Sequence, residues 1–462
     1  MCGIIGAFSK NDAASLVVSG LVALQHCGQE AFGILSYEGN GERFHSHRDR
    51  GFVNVDSAIL ARLAGSVAIG HVRYSTSGGN HLRNAQPCFS ETRFGGIGIA
   101  HNGNLLNADA IRTDNLRSGS RFQSTSDTEV ILDLIAKSGK ETFMESLVDA
   151  LGKVKGAYSL VILTENRHII GVRDPRGFHP LSLGKKDGCY LLATETCALN
   201  EIGAEFIREI KPGEMIDISE FGFLSLFPFE KKACAHCIFR QVYFARPDSL
   251  VDDLQVSASR YRIGKILAKE SPVKYDLPDG LSASDVYFVS PVPESGIGAA
   301  EGYAKVLGLR LKRGLIRKRS YTARTFIQPS EALREDGARR KYCTDNGVLF
   351  GKKVILVDDS IVRGTTFKLL VKMVRDAGAK EVHIRIASPP FRHHCVYGID
   401  TPSDNELIAS KMDIEEMRKF FNADSLAFIS LEGLHYALGE QNYPKEKTRF
   451  CNACFTGNYP EL

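Results

Sequence analysis

Residues 352–378 read KKVILVDDSIVRGTTFKLLVKMVRDAG: an apolar strand, two adjacent acids, a turn rich in Ser, Gly and Thr, and an amphipathic helix. An apolar strand running into a helix is half of a βαβ unit, and the neighbouring sequence repeats the pattern. VYFVSPV (286–292) and EVHIRIASPP (381–390) read as strands, and SRYRIGKILAKE (259–270) as a helix. An α/β domain with a parallel sheet is therefore expected in the second half of the chain. The turn has the chemistry of a phosphate loop. Its backbone N–H groups and the positive end of the helix can cradle a monophosphate, Gly364 admits a close backbone approach, and Thr365 and Thr366 add hydroxyl donors. Asp358 and Asp359 can hold ribose hydroxyls directly or through magnesium, a hard cation that prefers oxygen. An ordinary strand-to-helix turn accounts for the glycine but not for two acids behind an apolar run. The segment is neither a Walker loop nor a GxGxxG, which disfavours ATP hydrolysis.

Upstream the character differs. Short β-rich segments with glycine punctuation, CGIIGAF (2–8), FGILSY (32–37), VAIGHVRYST (67–76), GGIGIAHNGNL (95–105), AYSLVIL (157–163), IIGVRD (169–174) and CYLLATET (189–196), predict packed sheets. ASLVVSGLVALQH (14–26) and SDTEVILDLIAKSG (126–139) predict flanking helices, the second with Ser126 and Glu129 at capping-box spacing. A chain of 462 residues exceeds one core, so two domains are expected, 2–230 and 231–462. Composition is that of a soluble globular protein, with 43% hydrophobic and 24% charged residues and a net charge of +4 without long like-charge runs. It gives no sign of nucleic-acid binding. No membrane span or signal peptide is read, so the expected compartment is the cytoplasm, where eleven cysteines would serve catalysis, metal binding or burial rather than disulfides.

Cys2 directly follows the initiator methionine, whose removal would leave a free amine beside a thiol. An α-amino group titrates at about 7.7–8.0 and can act as the base for such a nucleophile. The polar groups of GHVRYST, HNGN and SDTE fall at the ends of apolar strands and include the types an amide substrate needs. Arg73 offers a cation, Asp127 an acid, and the Asn102/Gly103 pair oxyanion donors. Taken singly, Arg73 could be a surface ion pair, Asn102-Gly103 a hairpin turn and Asp127 a helix-start acid.

The segments CGIIGAF, GHVRYST, NAQPC, AHNGNL, STSDTEVI, GVRDPRGFHPL and ETCALNEIGAEF, in that order, resemble the glutamine phosphoribosylpyrophosphate amidotransferases, and VDDSIVRGTT resembles the same branch of the type I phosphoribosyltransferases. The resemblance implies an N-terminal-nucleophile glutaminase domain, an αββα sandwich of α+β class, followed by an α/β type I phosphoribosyltransferase domain. It implies Cys2 as nucleophile, Asn102 and Gly103 as oxyanion hole, and Arg73, Thr76 and Asp127 as glutamine-binding residues. Phosphoribosylpyrophosphate would be bound by Lys341, Asp358, Asp359, Ser360, Ile361, Val362, Arg363, Gly364, Thr365 and Thr366, with Ser295 of SPVPESG (290–296) joining Asp358 and Asp359 at Mg2+. SYTARTFIQPSEALREDGARRKY (320–342) resembles a lid that closes over the sugar phosphate. The implied product is 5-phosphoribosylamine, the first committed intermediate of purine synthesis. VDDSIVRGTT argues against the other glutaminase-domain enzymes, glucosamine phosphate synthase and asparagine synthetase. The resemblance also implies a homotetramer inhibited by purine nucleotides; many cluster-bearing members carry a propeptide before the cysteine, and with none read here, maturation by removal of Met1 alone is expected.

Cys234/Cys237 and Cys451/Cys454 each form C-x-x-C. Spacing alone suits zinc or an iron–sulfur cluster equally. The segments CIFRQVYFARPDS, PPFRHHCVYGIDTP and CNACFTGNYP resemble those of cluster-bearing members, which implies a [4Fe-4S] cluster on Cys237, Cys395, Cys451 and Cys454 with Cys234 spare. Four positions depart from the family pattern: Cys27 and Ser320 stand where arginine is usual, Arg240 where glutamate is usual, and Ala323 where glycine is usual. Cys27, Ser320 and Ala323 suggest as an alternative a nucleotide-sensing relative with weak or lost turnover.

Overall fold

The computed structural model describes residues 2–9, 12–39, 43–74, 79, 81–318, 340–444 and 447–461. Thr76, Ser320, Ala323 and most of the expected lid lie outside them. The N-terminal half is built on two antiparallel sheets. One has the order β11(Glu205–Glu209), β9(Ser182–Lys186), β10(Cys189–Ala193), β1(Gly3–Phe8), β4(Val67–Arg73), β2(Ala31–Glu38), β3(Arg43–Arg50). The other runs β13(Gly222–Leu226), β12(Met215–Ser219), β8(Ile169–Arg173), β7(Gly156–Thr164), β6(Gly95–Leu105), β5(Cys88–Thr92).

Strand β1 is apolar and buried along its whole length because both of its faces are covered. Ile4 and Phe8 meet Leu35, Ala100, Val161 and Ile169 between the sheets, while Ile5 and Ala7 pack outward on helices Ala13–Ala23 and Thr196–Ile202. Helices Thr128–Lys137 and Phe143–Lys153 cover the other sheet through Val130, Ile131, Leu147 and Leu151. The result is a helix–sheet–sheet–helix sandwich. Gly98 shows how closely the sheets pack, since a Cβ there would lie 2.1 Å from Leu35 Cδ2.

The expected capping box at Ser126 does not form. The helix begins at Thr128, two residues later. Glu129 instead accepts the backbone N–H groups of Gln123 and Ser124 at 2.7 and 2.8 Å, so its carboxylate is committed to the preceding loop. The reciprocal box lies at Thr142 and Glu145, at the head of Phe143–Lys153.

In the C-terminal half, strands Tyr287–Pro291, Lys353–Asp358, Glu381–Ile386 and Ser425–Phe428 form a parallel sheet in that spatial order. Helices Val256–Glu270 and Ile297–Leu307 pack on one face and Thr365–Asp376 and Ile414–Phe421 on the other. The first two approach closely: a Cβ on Gly264 would fall 1.9 Å from the Ala299 carbonyl oxygen. Ligand sites in such sheets open at the carboxyl ends of the strands, which is where Asp358 stands. A short parallel pairing of His236–Cys237 with Phe450–Cys451 ties the start of this half to the C-terminus. Among the described residues no helix is long and apolar enough to cross a membrane.

Candidate active sites and cysteine cluster

Two separate sites emerge, one on each half. At the first, Cys2 sits just before β1, buried, with its Sγ 3.5 Å from the Tyr74 carbonyl oxygen. Its backbone nitrogen donates to Asn102 Oδ1 at 3.1 Å. Asn102 is fully buried on β6, and its Nδ2 has no hydrogen-bond partner among the described residues. The pair Asn102-Gly103 is thus strand rather than hairpin turn. Gly103 has φ +157° and room for no side chain, because a Cβ would lie 2.0 Å from the Ala157 carbonyl oxygen. An unpaired buried amide N–H costs ~1–3 kcal/mol, so its persistence beside Cys2 points to an acceptor supplied from outside.

Burial pushes the Cys2 thiol up, against the nearby Arg73 charge and the Tyr74 hydrogen bond, so the resting group is a thiol that needs a base. Arg73 ends β4, buried, with Nη2 donating to the Gly79 carbonyl at 2.9 Å. Asp127 is also buried. Burial opposes its charge, but His101, 3.7 Å from Oδ1, and the N–H groups of Leu105 and Thr128 carry it below the usual carboxylate range. Sequence reading missed the frame behind these groups. Gln86 accepts the His101 N–H at 2.7 Å and donates to Thr128 Oγ1 at 2.9 Å, fixing β6 against the helix that carries Asp127. The signal was the NAQPC segment, which offers no chemistry until folded.

At the second site, Ser295, Lys341 and the run Asp358 to Thr366 line one cavity. Gly364, at φ +80°, turns the chain into helix Thr365–Asp376, so the helix N-terminus faces the same space. Asp358 and Asp359 are both buried, and Asp358 Oδ1 accepts the Asp359 N–H at 2.8 Å. Burial and the second acid raise Asp358 well above the ordinary carboxylate range. Two buried carboxyl groups with oxygen donors only are a fitting seat for a hard divalent cation, whose charge would reverse that shift.

Cys237 and Cys451 are cross-strand neighbours, and Tyr397 N–H points at Cys395 Sγ at 3.4 Å. The Cys454 thiol is raised by burial and by Cys451, Cys237 and Cys395 together, which places the four in one another's field. Burial, with Cys395, pushes Cys237 up to about 12. Phe239, Phe391 and Phe455 wall the site, with ring centroids 5.1 and 6.0 Å apart. The four thiols do not converge closely enough to share one small ion, because the only close Cys/His/carboxylate group among the described residues lies elsewhere. A multi-atom cluster fits the wider spacing and the apolar surroundings.

A connection missed by sequence reading joins these places. The segment 395–402 leaves Cys395, presents the Val396 carbonyl to Asn104 Nδ2 at 2.9 Å, and takes a hydrogen bond from His179 Nε2 on the Tyr397 carbonyl at 2.7 Å. Its Asp400 and Thr401 then line the phosphate-loop cavity.

Comparison with known proteins agrees with this layout. Residues 42–261 match the glutamine amidotransferase domain family and residues 280–402 the phosphoribosyl transferase domain family. The chain is 43% identical to the amidophosphoribosyltransferase of Bacillus subtilis over 99% of its own length and 94% of that protein's. It is 45% identical to the chloroplastic amidophosphoribosyltransferase 2 of Arabidopsis thaliana, over 99% of this chain and 79% of the relative. The solved structure of the B. subtilis glutamine phosphoribosylpyrophosphate amidotransferase, complexed with ADP and GMP, superposes with a TM-score of 0.90 at 42% identity, covering 100% of this chain and 98% of that one. A second solved structure, of an allosteric regulatory enzyme of purine biosynthesis, also has a TM-score of 0.90 at 42% identity and covers 100% of this chain and 96% of that one. With a glutamine amidotransferase domain followed by a phosphoribosyl transferase domain, and likeness over nearly the whole chain, the chain belongs to the amidophosphoribosyltransferases, glutamine-dependent pentosyltransferases of purine biosynthesis.

Proposed function

We propose that residues 2–230 release ammonia from glutamine at Cys2 and that residues 231–462 add it to phosphoribosylpyrophosphate at the Asp358–Thr366 loop. The observation that carries this reading is Asn102, which holds the Cys2 nitrogen with one end of its amide and leaves the other end buried and unpaired among the described residues. Once Met1 is removed, that nitrogen is an amine. It takes the Cys2 proton, the thiolate attacks the glutamine carboxamide carbon, and Asn102 Nδ2 with the Gly103 N–H receives the developing oxyanion. Arg73 and Asp127 bind the substrate's α-carboxylate and α-ammonium, with Thr76 beside them. The protonated amine returns its proton to the departing ammonia, and water then hydrolyses the thioester to glutamate.

At the second site, the loop N–H groups, Thr365 and Thr366 hold the 5′-phosphate, Lys341 the pyrophosphate, and Asp358 and Asp359 the ribose side. Ammonia displaces pyrophosphate from C1, giving 5-phosphoribosylamine. A bound Mg2+, one per subunit, would neutralise charge building on the leaving pyrophosphate, with Asp358, Asp359 and Ser295 as its protein neighbours. Cys237, Cys395, Cys451 and Cys454 would hold one [4Fe-4S] cluster per subunit, tying the C-terminus to segment 395–402. The eleven free cysteines suit a reducing compartment such as the cytoplasm. By family likeness, the assembly is a homotetramer and purine nucleotides inhibit it.

Cys2→Ala tests the division of labour. The variant should lose glutamine-dependent synthesis and retain synthesis from ammonium salts; glutamine use equal to the parent's would remove Cys2 from its assigned role.

A further inference from the structure

We propose that His26, Cys27 and Glu195 form a transition-metal site, suited to zinc. Their ligand atoms all lie within 4.8 Å of one another. Cys27 Sγ is 3.4 Å from His26 Nε2, His26 Nε2 is 3.1 Å from Glu195 Oε2, and Cys27 Sγ is 3.8 Å from Glu195 Oε1. Zinc bonds of about 2.3 Å to sulfur and about 2.0–2.1 Å to nitrogen and oxygen set the edges of a tetrahedral site. They come to about 3.5 Å for S–N, about 3.3 Å for N–O and about 3.5 Å for S–O. The S–N and N–O separations fall within about 0.3 Å of their edges, and the 3.8 Å thiol contact is to the other carboxylate oxygen, so a turn of the Glu195 carboxylate would offer one oxygen to an ion shared by all three.

The orientation of His26 is an independent sign. Its Nδ1 lies 3.1 Å from the Ala23 carbonyl oxygen, which can only accept, so Nδ1 carries a hydrogen. Nε2 then faces the carboxylate and the thiol, which favour a proton there in the metal-free protein and would favour a cation in its place. A histidine that donates its second nitrogen to a carbonyl while the first faces other donors is the arrangement of a metal-bound imidazole. Glu195 is itself anchored. Arg240 Nη1 donates to Oε1 at 3.0 Å, and the Arg246 N–H and Ser249 Oγ donate to Oε2 at 3.0 and 3.1 Å. Cys197 Sγ lies 3.8 Å from the same Oε2.

Charge also closes. Zinc balances the Glu195 carboxylate and the Cys27 thiolate. Thiolate with imidazole selects zinc over magnesium or calcium. Cys27 and Glu195 are buried, whereas the His26 side chain is 21% exposed and gives an ion a way in. The site would pin the end of helix Ala13–Ala23 to the start of helix Thr196–Ile202, with Arg240 of the C-terminal half as its outer neighbour.

The experiment incubates the full-length protein, iron content unchanged, with zinc sulfate, removes unbound metal and counts zinc and iron by elemental analysis. The parent should keep one zinc more per chain than Cys27→Ala, with iron equal in both. Cobalt(II) in place of zinc should give a thiolate-to-metal absorption band in the near ultraviolet that Cys27→Ala lacks. His26→Gln, at a part-exposed ring, should lower zinc affinity at least tenfold and provides the comparison should Cys27→Ala fail to fold. Equal zinc in the parent and a folded variant, or a cobalt band that survives substitution, overturns the proposal and assigns any bound metal to the other cysteines.

Discussion

Asp358 has a titration that bears directly on the second site. Buried beside Asp359, it has a folded pKa far above the unfolded carboxylate value, so the unliganded fold binds a proton that the unfolded chain releases. Stability from this group is full at pH below the unfolded value near ~4 and is lost as pH rises through the folded value. Phosphoribosylpyrophosphate with Mg2+ works the other way, because it needs the charged carboxylate. Affinity should therefore strengthen as pH rises, by up to about tenfold per unit below the folded pKa, with proton release on binding. Titration calorimetry in two buffers of different ionisation enthalpy measures that release, and zero net proton exchange would refute the assignment. The gathering of Asp358 to Thr366 around one cavity was legible from sequence because these residues lie within one strand, turn and helix. Asn102 was named as an oxyanion donor by residue type, but its backbone setting stayed open, since asparagine before glycine also reads as a turn and only the pairing of β6 with β7 holds it extended. The surroundings of Cys27 were hidden for a related reason: Arg240, distant in sequence, forms a fully buried pair at 3.0 Å with Glu195, whose carboxylate the Cys27 thiol also meets.

At the level of elements, the apolar runs of both halves became strands as expected, because continuous burial leaves their periodicity no competitor. Helix starts were harder to read. The S-x-x-E spacing at Ser126 is a real match to the motif, yet Glu129 binds the loop behind it, whereas the box at Thr142 holds both reciprocal hydrogen bonds. Spacing supplies candidates for a cap, and the loop conformation decides which carboxylate turns back. Thr142→Ala should accordingly destabilise the fold by about 1 kcal/mol, the usual value of an N-cap hydroxyl. Urea unfolding followed by circular dichroism measures it, and an unchanged midpoint would show that the exposed box contributes nothing in water.

On the scale of the whole molecule, segment 395–402 is the physical link between the two reactions. It starts at a proposed cluster ligand, lies against the proposed oxyanion hole and ends on the sugar-phosphate cavity. No sequence pattern announces this, because a connection between domains is a matter of packing and the segment has no periodicity of its own. Gly398 is the point of closest approach: it has φ +105°, and a Cβ there would stand 2.7 Å from the Gly103 carbonyl carbon. Gly398→Ala must therefore move either the segment or the backbone of the oxyanion hole, at a site where the left-handed conformation already disfavours a side chain. Ammonia-dependent synthesis, which needs only the second site, should stay within about twofold of the parent. Glutamine-dependent synthesis should fall at least about tenfold, the rate equivalent of about 1.4 kcal/mol, and more glutamine should be consumed per phosphoribosylamine formed. Measuring glutamate, pyrophosphate and iron content on one preparation separates the cases. An equal loss from both nitrogen donors at constant iron would mean that the segment only supports the fold, whereas a selective loss identifies it as the part through which one site acts on the other.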